Sequence, residues 1–191
     1  LAATAWGLHR TLSEHRVVRR ALNGERIVAE NLAMLVAAGH HVFHDIPTEN
    51  PDPAFNLHHV VVGPGGILAI ETRSLEKHRA IPGRKDHEII FDGEQLIYPW
   101  GQDLKGLAPT RLKADWLAEW VYQITGRHLP VTPVLTFPGW WVKTTASREV
   151  QVHNHKQIAA LTRQAKSGLL DAQQIELIAD QLALRCRDVE L

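Results

Sequence analysis

The sequence predicts an α/β fold in which a mixed central β-sheet is flanked by helices. Two observations indicate this class. Short apolar segments with strand character are separated by turns rich in glycine and proline. Longer segments carry apolar residues at three- to five-residue spacing, which is typical of helices. The predicted order of elements, α-β-β-β-(β-β)-α-β-β-α-α, is that of an α/β sandwich.

The first half of the chain contains one predicted helix and a run of strands. Residues 13–36 have apolar residues at helical spacing and are followed by a glycine stop, which predicts a helix. Residues 40–47 alternate as a short strand that ends in proline. Strands 57–62 and 67–73 are joined through Gly-Pro-Gly-Gly, which favours a tight hairpin. Residues 87–98 form a second predicted hairpin, because an Asp-Gly pair lies at its centre.

The second half begins with a long helix. Apolar and tryptophan side chains recur on one face of residues 102–125. Residues 129–141 predict one buried strand, and residues 149–154 predict a short one. Two short helices, 155–166 and 171–186, are predicted to close the chain.

Composition limits the class of protein. A chain of 191 residues with 45% hydrophobic residues suits one domain with a proper core. Lys plus Arg (21) equals Asp plus Glu (21), so no overall positive charge indicates a nucleic-acid partner, although a local basic face is compatible with these numbers. The single cysteine, Cys186, excludes an internal disulfide framework and a cysteine-based zinc site. A reducing compartment is therefore expected, which is the cytoplasm.

Residues 1–20 are predicted to form an N-terminal helical extension. They begin with an apolar stretch and continue with four arginines, Arg10, Arg16, Arg19 and Arg20. A membrane span needs about 20 apolar residues, so this segment is too short to be one. Two interpretations stay open. It is the start of an amphipathic helix, or the end of an upstream anchor that tethers the domain to the inner face of the membrane. The chain lacks an initiator Met, so we expect it to be trimmed from a longer one.

The hairpin at residues 56–73 carries the candidate chemistry. Side chains alternate between the faces of a strand, so Glu71 and Arg73 are expected on one face. In an antiparallel hairpin the start of the first strand lies beside the end of the second, which brings His58 or His59 next to Glu71 and Arg73. Acid-x-base at a strand end suits a metal-dependent phosphodiester hydrolase, in which a cation such as Mg²⁺ activates water and a neighbouring positive side chain stabilises developing charge.

Several segments closely resemble the NERD (nuclease-related) domain, a branch of the PD-(D/E)XK nuclease superfamily. They are NGERIVAENLAML, HHVFHDIP, NLHHVVVGPGGILAIETRS and YPWGQ, followed by a long helix. The resemblance covers roughly residues 20 to 140. It implies a restriction-endonuclease-like core, with residues 21–191 as a nuclease-fold domain that includes the C-terminal helices. It also implies metal-dependent DNA hydrolysis and frequent attachment to membrane spans or other DNA-processing modules.

The resemblance also implies site residues. Glu25 corresponds to the family's helix acid and Glu71 to its metal-binding acid. Gln102 falls on the glutamine that follows the family's proline, here Pro99. The implied metal ligands, for Mn²⁺ or Mg²⁺, are Glu25, His58 and Glu71. The implied catalytic residues are Glu71, Arg73 and Gln102.

Two positions depart from the family pattern. His58 replaces an aspartate, and a neutral imidazole suits Mn²⁺ or Zn²⁺ far better than Mg²⁺. The change also removes a negative charge that would attract a dication. Arg73 replaces a lysine, and a guanidinium cannot act as a base. It can stabilise phosphate charge, or it can pair with Glu71 where no metal is bound.

The two departures together predict a DNA-associated nuclease-related domain with degenerate or weak metal-dependent phosphodiesterase activity. An active form would be a divalent-metal-dependent deoxyribonuclease. The alternative is a catalytically inactive module that binds DNA or a protein, with membrane attachment only through an upstream segment. Trp140 and Trp141 add a second question, because such a pair can stack on nucleobases, pack internally or face a partner.

Overall fold

The computed structural model describes residues 2–103, 106–146, 149–164 and 168–187, with side chains from His15 onward except that of Gln164. The elements in chain order are α1 (Ala2–Ala37), β1 (His41–Ile46), β2 (Leu57–Gly63), β3 (Gly66–Thr72), β4 (Glu88–Phe91), β5 (Leu96–Tyr98), β6 (Gly101–Asp103), α2 (Ala108–Thr125), β7 (Val131–Thr136), β8 (Trp141–Thr144), β9 (Gln151–His153), α3 (Ile158–Gln164) and α4 (Ala172–Arg187). Two short 3₁₀ turns, Pro53–Phe55 and His155–Gln157, complete them.

The central sheet has five strands in the order β1-β2-β3-β7-β9. Strands β1, β2 and β3 are antiparallel neighbours, whereas β7 and β9 join β3 in parallel, so the sheet is mixed. The turn between β2 and β3 is tight, because Gly63 pairs directly with Gly66. Pairing of His59 with Ile70 then fixes the register of the hairpin. The predicted α/β class with a mixed sheet flanked by helices is confirmed.

Apolar clusters on both faces of the central sheet hold the helices. On one face α2 and α4 contribute Ala114, Leu117, Val121, Ile178 and Leu182 against the β-strands. On the other face α1 and α3 contribute Val28, Leu32, Leu35, Ile158 and Ala159. Burial of such side chains is the main stabilising term of a domain of this size. The result is a three-layer α/β/α core.

A second sheet of four strands, in the order β6-β5-β4-β8, lies beside the first. The prediction of one strand over residues 129–141 is wrong in this respect. Strand β7 ends at Thr136, and β8 starts at Trp141 and pairs with β4 in the second sheet. The break is at Pro138-Gly139, where Gly139 has a φ of 80°, a backbone conformation that glycine adopts without strain.

The start of α2 differs from the prediction. Gly101–Asp103 form β6, with Gln102 opposite Ile97, and the helix begins only at Ala108. Pro109 lies in the first turn, where its missing N–H has no intrahelical acceptor to lose. Residues 104–105 of the predicted helix lie outside the described residues, as do residues 165–166 of the predicted third helix.

Helix α1 runs without interruption from Ala2 to Ala37 and so crosses the predicted boundary at residue 20. Within the part of the chain that the structure describes, no helix combines the length and apolar character needed to cross a membrane. The division into an extension and a domain stays a prediction.

Candidate functional site

The β2–β3 hairpin brings His58 and Glu71 together. Extending the register from the His59–Ile70 pair places His58 opposite Glu71. His58 Nε2 lies 3.3 Å from Glu71 Oε1. Both side chains are on the face that α2 covers, alongside Val60 and Ala69. Strand alternation and the tight turn therefore suffice to make this contact.

His58 is held as a neutral imidazole. Its Nδ1 accepts a hydrogen bond from the backbone N–H of Thr72 at 3.2 Å, so the ring proton is on Nε2, next to Glu71. Burial and the positive charge of Lys113 lower the pKa of His58 to about 4. The ring is therefore uncharged near neutral pH, and both of its nitrogens lie close to protein groups.

Lys113 of α2 is the cation of this site, and sequence reasoning missed it. Its ammonium donates to both oxygens of Glu71, at 2.9 and 2.8 Å. The side chain of Lys113 is 5% exposed and that of Glu71 is 16% exposed. Burial raises the pKa of Glu71, and the charge of Lys113 acts in the opposite direction. One signal was present in the sequence: Lys113 falls on the apolar stripe of α2, three residues after Thr110 and four before Leu117, both of which are buried.

Glu25 approaches the same group from α1. Its Oε1 lies 3.8 Å from His58 Nδ1. Partial burial raises the pKa of Glu25, the negative charge of Asp45 raises it further, and Lys113 lowers it. The structure therefore brings two predicted site residues, Glu25 and Glu71, to the imidazole ring of the third, His58.

Arg73 extends away from this group toward the second sheet. Its guanidinium donates to the Tyr98 hydroxyl at 3.3 Å and to the Gly106 carbonyl at 2.5 Å. It also lies 3.6 Å from a carboxylate oxygen of Asp103. Among the ion pairs of the described residues, none joins Arg73 to Glu71. The suggested pairing of these two residues is wrong, and Arg73 instead connects the end of β3 to the second sheet and to the loop before α2.

Gln102 lies outside the group. Its side chain is exposed on β6, and no hydrogen bond among the described residues joins it to His58 or Glu71. The next residue, Asp103, is the one that reaches Arg73. The predicted catalytic role of Gln102 stays a prediction without a supporting contact.

His59 points to the opposite face, where it is buried and contacts the exposed His44. Its Nδ1 lies 2.8 Å from His44 Nδ1, and its Nε2 lies 3.2 Å from the Thr72 hydroxyl. Burial, followed by the neighbouring imidazoles of His44 and His58, lowers the pKa of His59 to about 3. A direct contact between two imidazole nitrogens requires one of them to be unprotonated, so this pair also resists charging.

No three His, Cys, Asp or Glu side chains in the described ranges are placed so that they could hold a metal ion. The predicted ligand role of Glu25, His58 and Glu71 stays a prediction. Of these three, Glu71 already has both oxygens bound by Lys113.

Comparison with protein-family models supports the resemblance seen in the hairpin sequence. The family model described as the nuclease-related domain (NERD) matches residues 20–138, more than half of the chain. The match spans Glu25, the β2–β3 hairpin and Lys113. No curated protein and no solved structure was found to be significantly similar. The chain belongs to the nuclease-related domain family.

Proposed function

We propose that this domain is a nuclease-fold module that binds DNA without hydrolysing it. The observation that carries the proposal is the ion pair between Lys113 and Glu71. An ammonium bound to both oxygens of the family's metal-binding acid takes the place that a divalent cation would need. The pair is buried, so a metal would have to displace a charge that is already compensated.

The remaining donors fit a divalent cation poorly. His58 presents a protonated nitrogen toward Glu71 and uses the other one to accept the Thr72 N–H. Mg²⁺ prefers oxygen ligands in near-octahedral geometry, whereas here an imidazole lies between the carboxylates of Glu25 and Glu71. These donors support no hydrolytic step through a metal.

The protein groups alone do not supply the chemistry of hydrolysis. Arg73 is permanently charged and cannot accept a proton. The pKa of His58 is about 4, which makes its ring a weak base near neutral pH. The amino group of Lys113 is already engaged with both oxygens of Glu71. None of these three is poised to remove a proton from an attacking water.

Association with DNA is supported by a local concentration of positive charge. Residues 77–87, named here the basic segment, contain Lys77, Arg79, Arg84 and Lys85 and a single acid, Asp86. Lys77, Arg79 and Lys85 are exposed. The segment begins four residues after Arg73, beyond the end of β3, and is flanked by Glu76 and Glu88. A chain with no net charge thus carries a local excess of positive charge in this segment.

The test combines cleavage, metal binding and DNA binding by one preparation. We expect no cleavage of single-stranded or duplex DNA with Mg²⁺ or Mn²⁺ at high protein concentration, and no saturable Mn²⁺ binding in calorimetric titration. We also expect DNA binding at low salt that weakens steeply as salt is added. Cleavage with Mn²⁺ that disappears in a folded Glu71→Gln variant would overturn the proposal in favour of an active enzyme. If the domain binds no DNA at low salt, the DNA-binding part of the proposal is overturned.

A further inference from the structure

We infer that the exposed ring of Trp141 is a stacking site for an unpaired nucleobase, so that the module takes single-stranded DNA. The inference rests on the proposed function, since it names the form of DNA that is bound. Trp141 is 65% exposed, whereas the adjacent Trp140 is 3% exposed and packs in the core of the second sheet. An indole of this exposure beside positive charge is the combination found in surfaces that bind single strands.

The backbone holds Trp141 firmly in place. Its residue pairs with Glu88 across β8 and β4, and its N–H donates to the His87 carbonyl at 3.0 Å. The next residue, Val142, is buried, so the strand that carries the indole packs against the core through its other face. The strand fixes the point from which the indole projects, so only its side-chain torsions have to be ordered when a base stacks on it.

A cleft of about 450 Å³ lies beside the indole. Its volume is within the usual range for small organic ligands. Trp141, His87 and Lys156 line it, and none of the described lining residues is acidic. His155, which also lines it, is 8% exposed, and its Nδ1 has no hydrogen-bond partner among the described residues. The cleft therefore combines an apolar wall with polar groups suited to the edge of a base.

The basic segment continues this surface and supplies contacts for phosphates. His87 lines the cleft beside Trp141 and also a neighbouring cleft of about 640 Å³. Lys77, Arg79 and Lys85 line that second cleft, together with one acid, Asp86. A strand whose base rests on Trp141 would have its phosphates next to these cations. Stacking contact and charge are thus contiguous, as binding of a single strand requires.

Duplex DNA does not present an unpaired base face that could stack on Trp141. Its bases stack on one another, and extruding one costs a few kcal/mol of unstacking and unpairing. An unpaired strand presents its base faces without that penalty. Trp141 should therefore distinguish the two forms, whereas the basic segment attracts both.

The test is binding of a fluorescein-labelled oligo(dT) and of a duplex of equal length, followed by anisotropy at low salt. Trp141→Ala should weaken binding of oligo(dT) by roughly 5- to 150-fold, the range reported for loss of one base–aromatic stack. Binding of the duplex should change by less than about twofold, because its phosphate contacts are intact. Tyr122→Ala removes a partly exposed aromatic ring on α2 and serves as the matched control, with no expected change. Thermal unfolding of each variant checks that the fold is kept.

The outcomes separate this inference from the proposed function. Equal binding of oligo(dT) by Trp141→Ala and the parent chain overturns the stacking site alone. An equal loss for oligo(dT) and duplex also overturns it, because the ring would then serve DNA binding of either form. Cleavage of DNA overturns the non-hydrolytic proposal and leaves the stacking site standing. If neither DNA form binds, the proposed DNA binding and the stacking site are both overturned. Trp141 would then be assigned to a protein partner.

Discussion

Replacing Lys113 with methionine is the most informative perturbation of the site. The side chain is 5% exposed and lies on the apolar stripe of α2, so methionine can keep its packing while removing its charge. Glu71, 16% exposed, would then lose the cation bound to both of its oxygens. A buried carboxylate without compensation is strongly unfavourable.

The expected loss in the free energy of unfolding is about 3 kcal/mol. Breaking a buried ion pair by removing one partner costs roughly 3–5 kcal/mol. The lower end applies here because the carboxylate retains some contact with water and His58 Nε2 stays 3.3 Å away. Domains are stable by about 5–15 kcal/mol, so the variant should still fold.

A double variant distinguishes an uncompensated charge from a packing defect. Glu71→Met combined with Lys113→Met removes both charges and leaves no buried ion. Replacing a whole buried pair by apolar side chains is often neutral or stabilising. We expect the double variant to recover most of the stability lost by Lys113→Met, with a coupling energy above about 2 kcal/mol.

The assay is urea unfolding followed by circular dichroism near neutral pH. Arg111→Met is the matched control, because Arg111 lies on the same helix and pairs across 2.9 Å with Glu149 at the surface, with side chains 48% and 69% exposed. Its removal should change stability by less than about 1 kcal/mol. The reasoning is refuted if Lys113→Met unfolds within about 0.5 kcal/mol of the parent, or if the double variant shows the full sum of both single losses.

Acidification should reduce the deficit of Lys113→Met. Without the ammonium, burial of Glu71 is opposed only by the more distant charge of Arg73, and the pKa of this carboxyl in the folded state rises further. A carboxyl whose folded pKa is raised gains stability as pH falls, because the folded state takes up a proton first. The difference between variant and parent should therefore be smaller at about pH 5 than at about pH 8. A constant difference would exclude Glu71 as the source.

Three further predictions follow from buried groups near the site. The pKa values of His58 (about 4) and His59 (about 3) are depressed, so stability present above about pH 6.5 should be lost as pH falls toward those values; urea midpoints should show a loss of about 2 kcal/mol per imidazole by about pH 5. A pH-independent midpoint over that range would contradict this. Gly24→Ala should destabilise α1 by about 1–2 kcal/mol despite the higher helix propensity of alanine, since its Cβ would overlap the Ser74 hydroxyl; Ser74→Ala in that background should restore most of the loss, and no restoration would exclude this overlap as the cause. Arg73→Lys should lower thermal stability by about 1–2 kcal/mol, because one ammonium cannot reach both the phenol and the carbonyl that the guanidinium now joins; an unchanged melting temperature would rule out that bracing role.

The contact between His58 and Glu71 could be predicted because it is local. A tight Gly63–Gly66 turn sets the register, and alternation along the strands sets the face. The same rule says less about Arg73, because β3 ends at Thr72: its guanidinium bonds to Tyr98 and the Gly106 carbonyl, although its charge still lowers the pKa of Glu71. A rule of strand geometry holds only as far as the strand itself.

Other parts of the site depend on contacts that no local pattern describes. Lys113 meets Glu71 from 42 residues away, through packing of a helix on a sheet. Gln102 was assigned to a helix because apolar periodicity does not detect a strand as short as Gly101–Asp103, which forms only by pairing with β5. In both cases tertiary pairing decides the structure.

The two departures that the resemblance implies, at His58 and Arg73, bear on the charge around Glu71. Glu71 is the acid within 3.3 Å of the His58 ring on this face of the hairpin. Arg73 directs its guanidinium to the second sheet, where it meets Tyr98 and the Gly106 carbonyl. Lys113 of α2 supplies the cation that binds both oxygens of Glu71, while Glu25 lies on the other side of the His58 ring. A dication at Glu71 would have to displace this ammonium from a largely buried pair. We therefore expect the stability of the domain, rather than any catalytic rate, to respond to changes at Lys113.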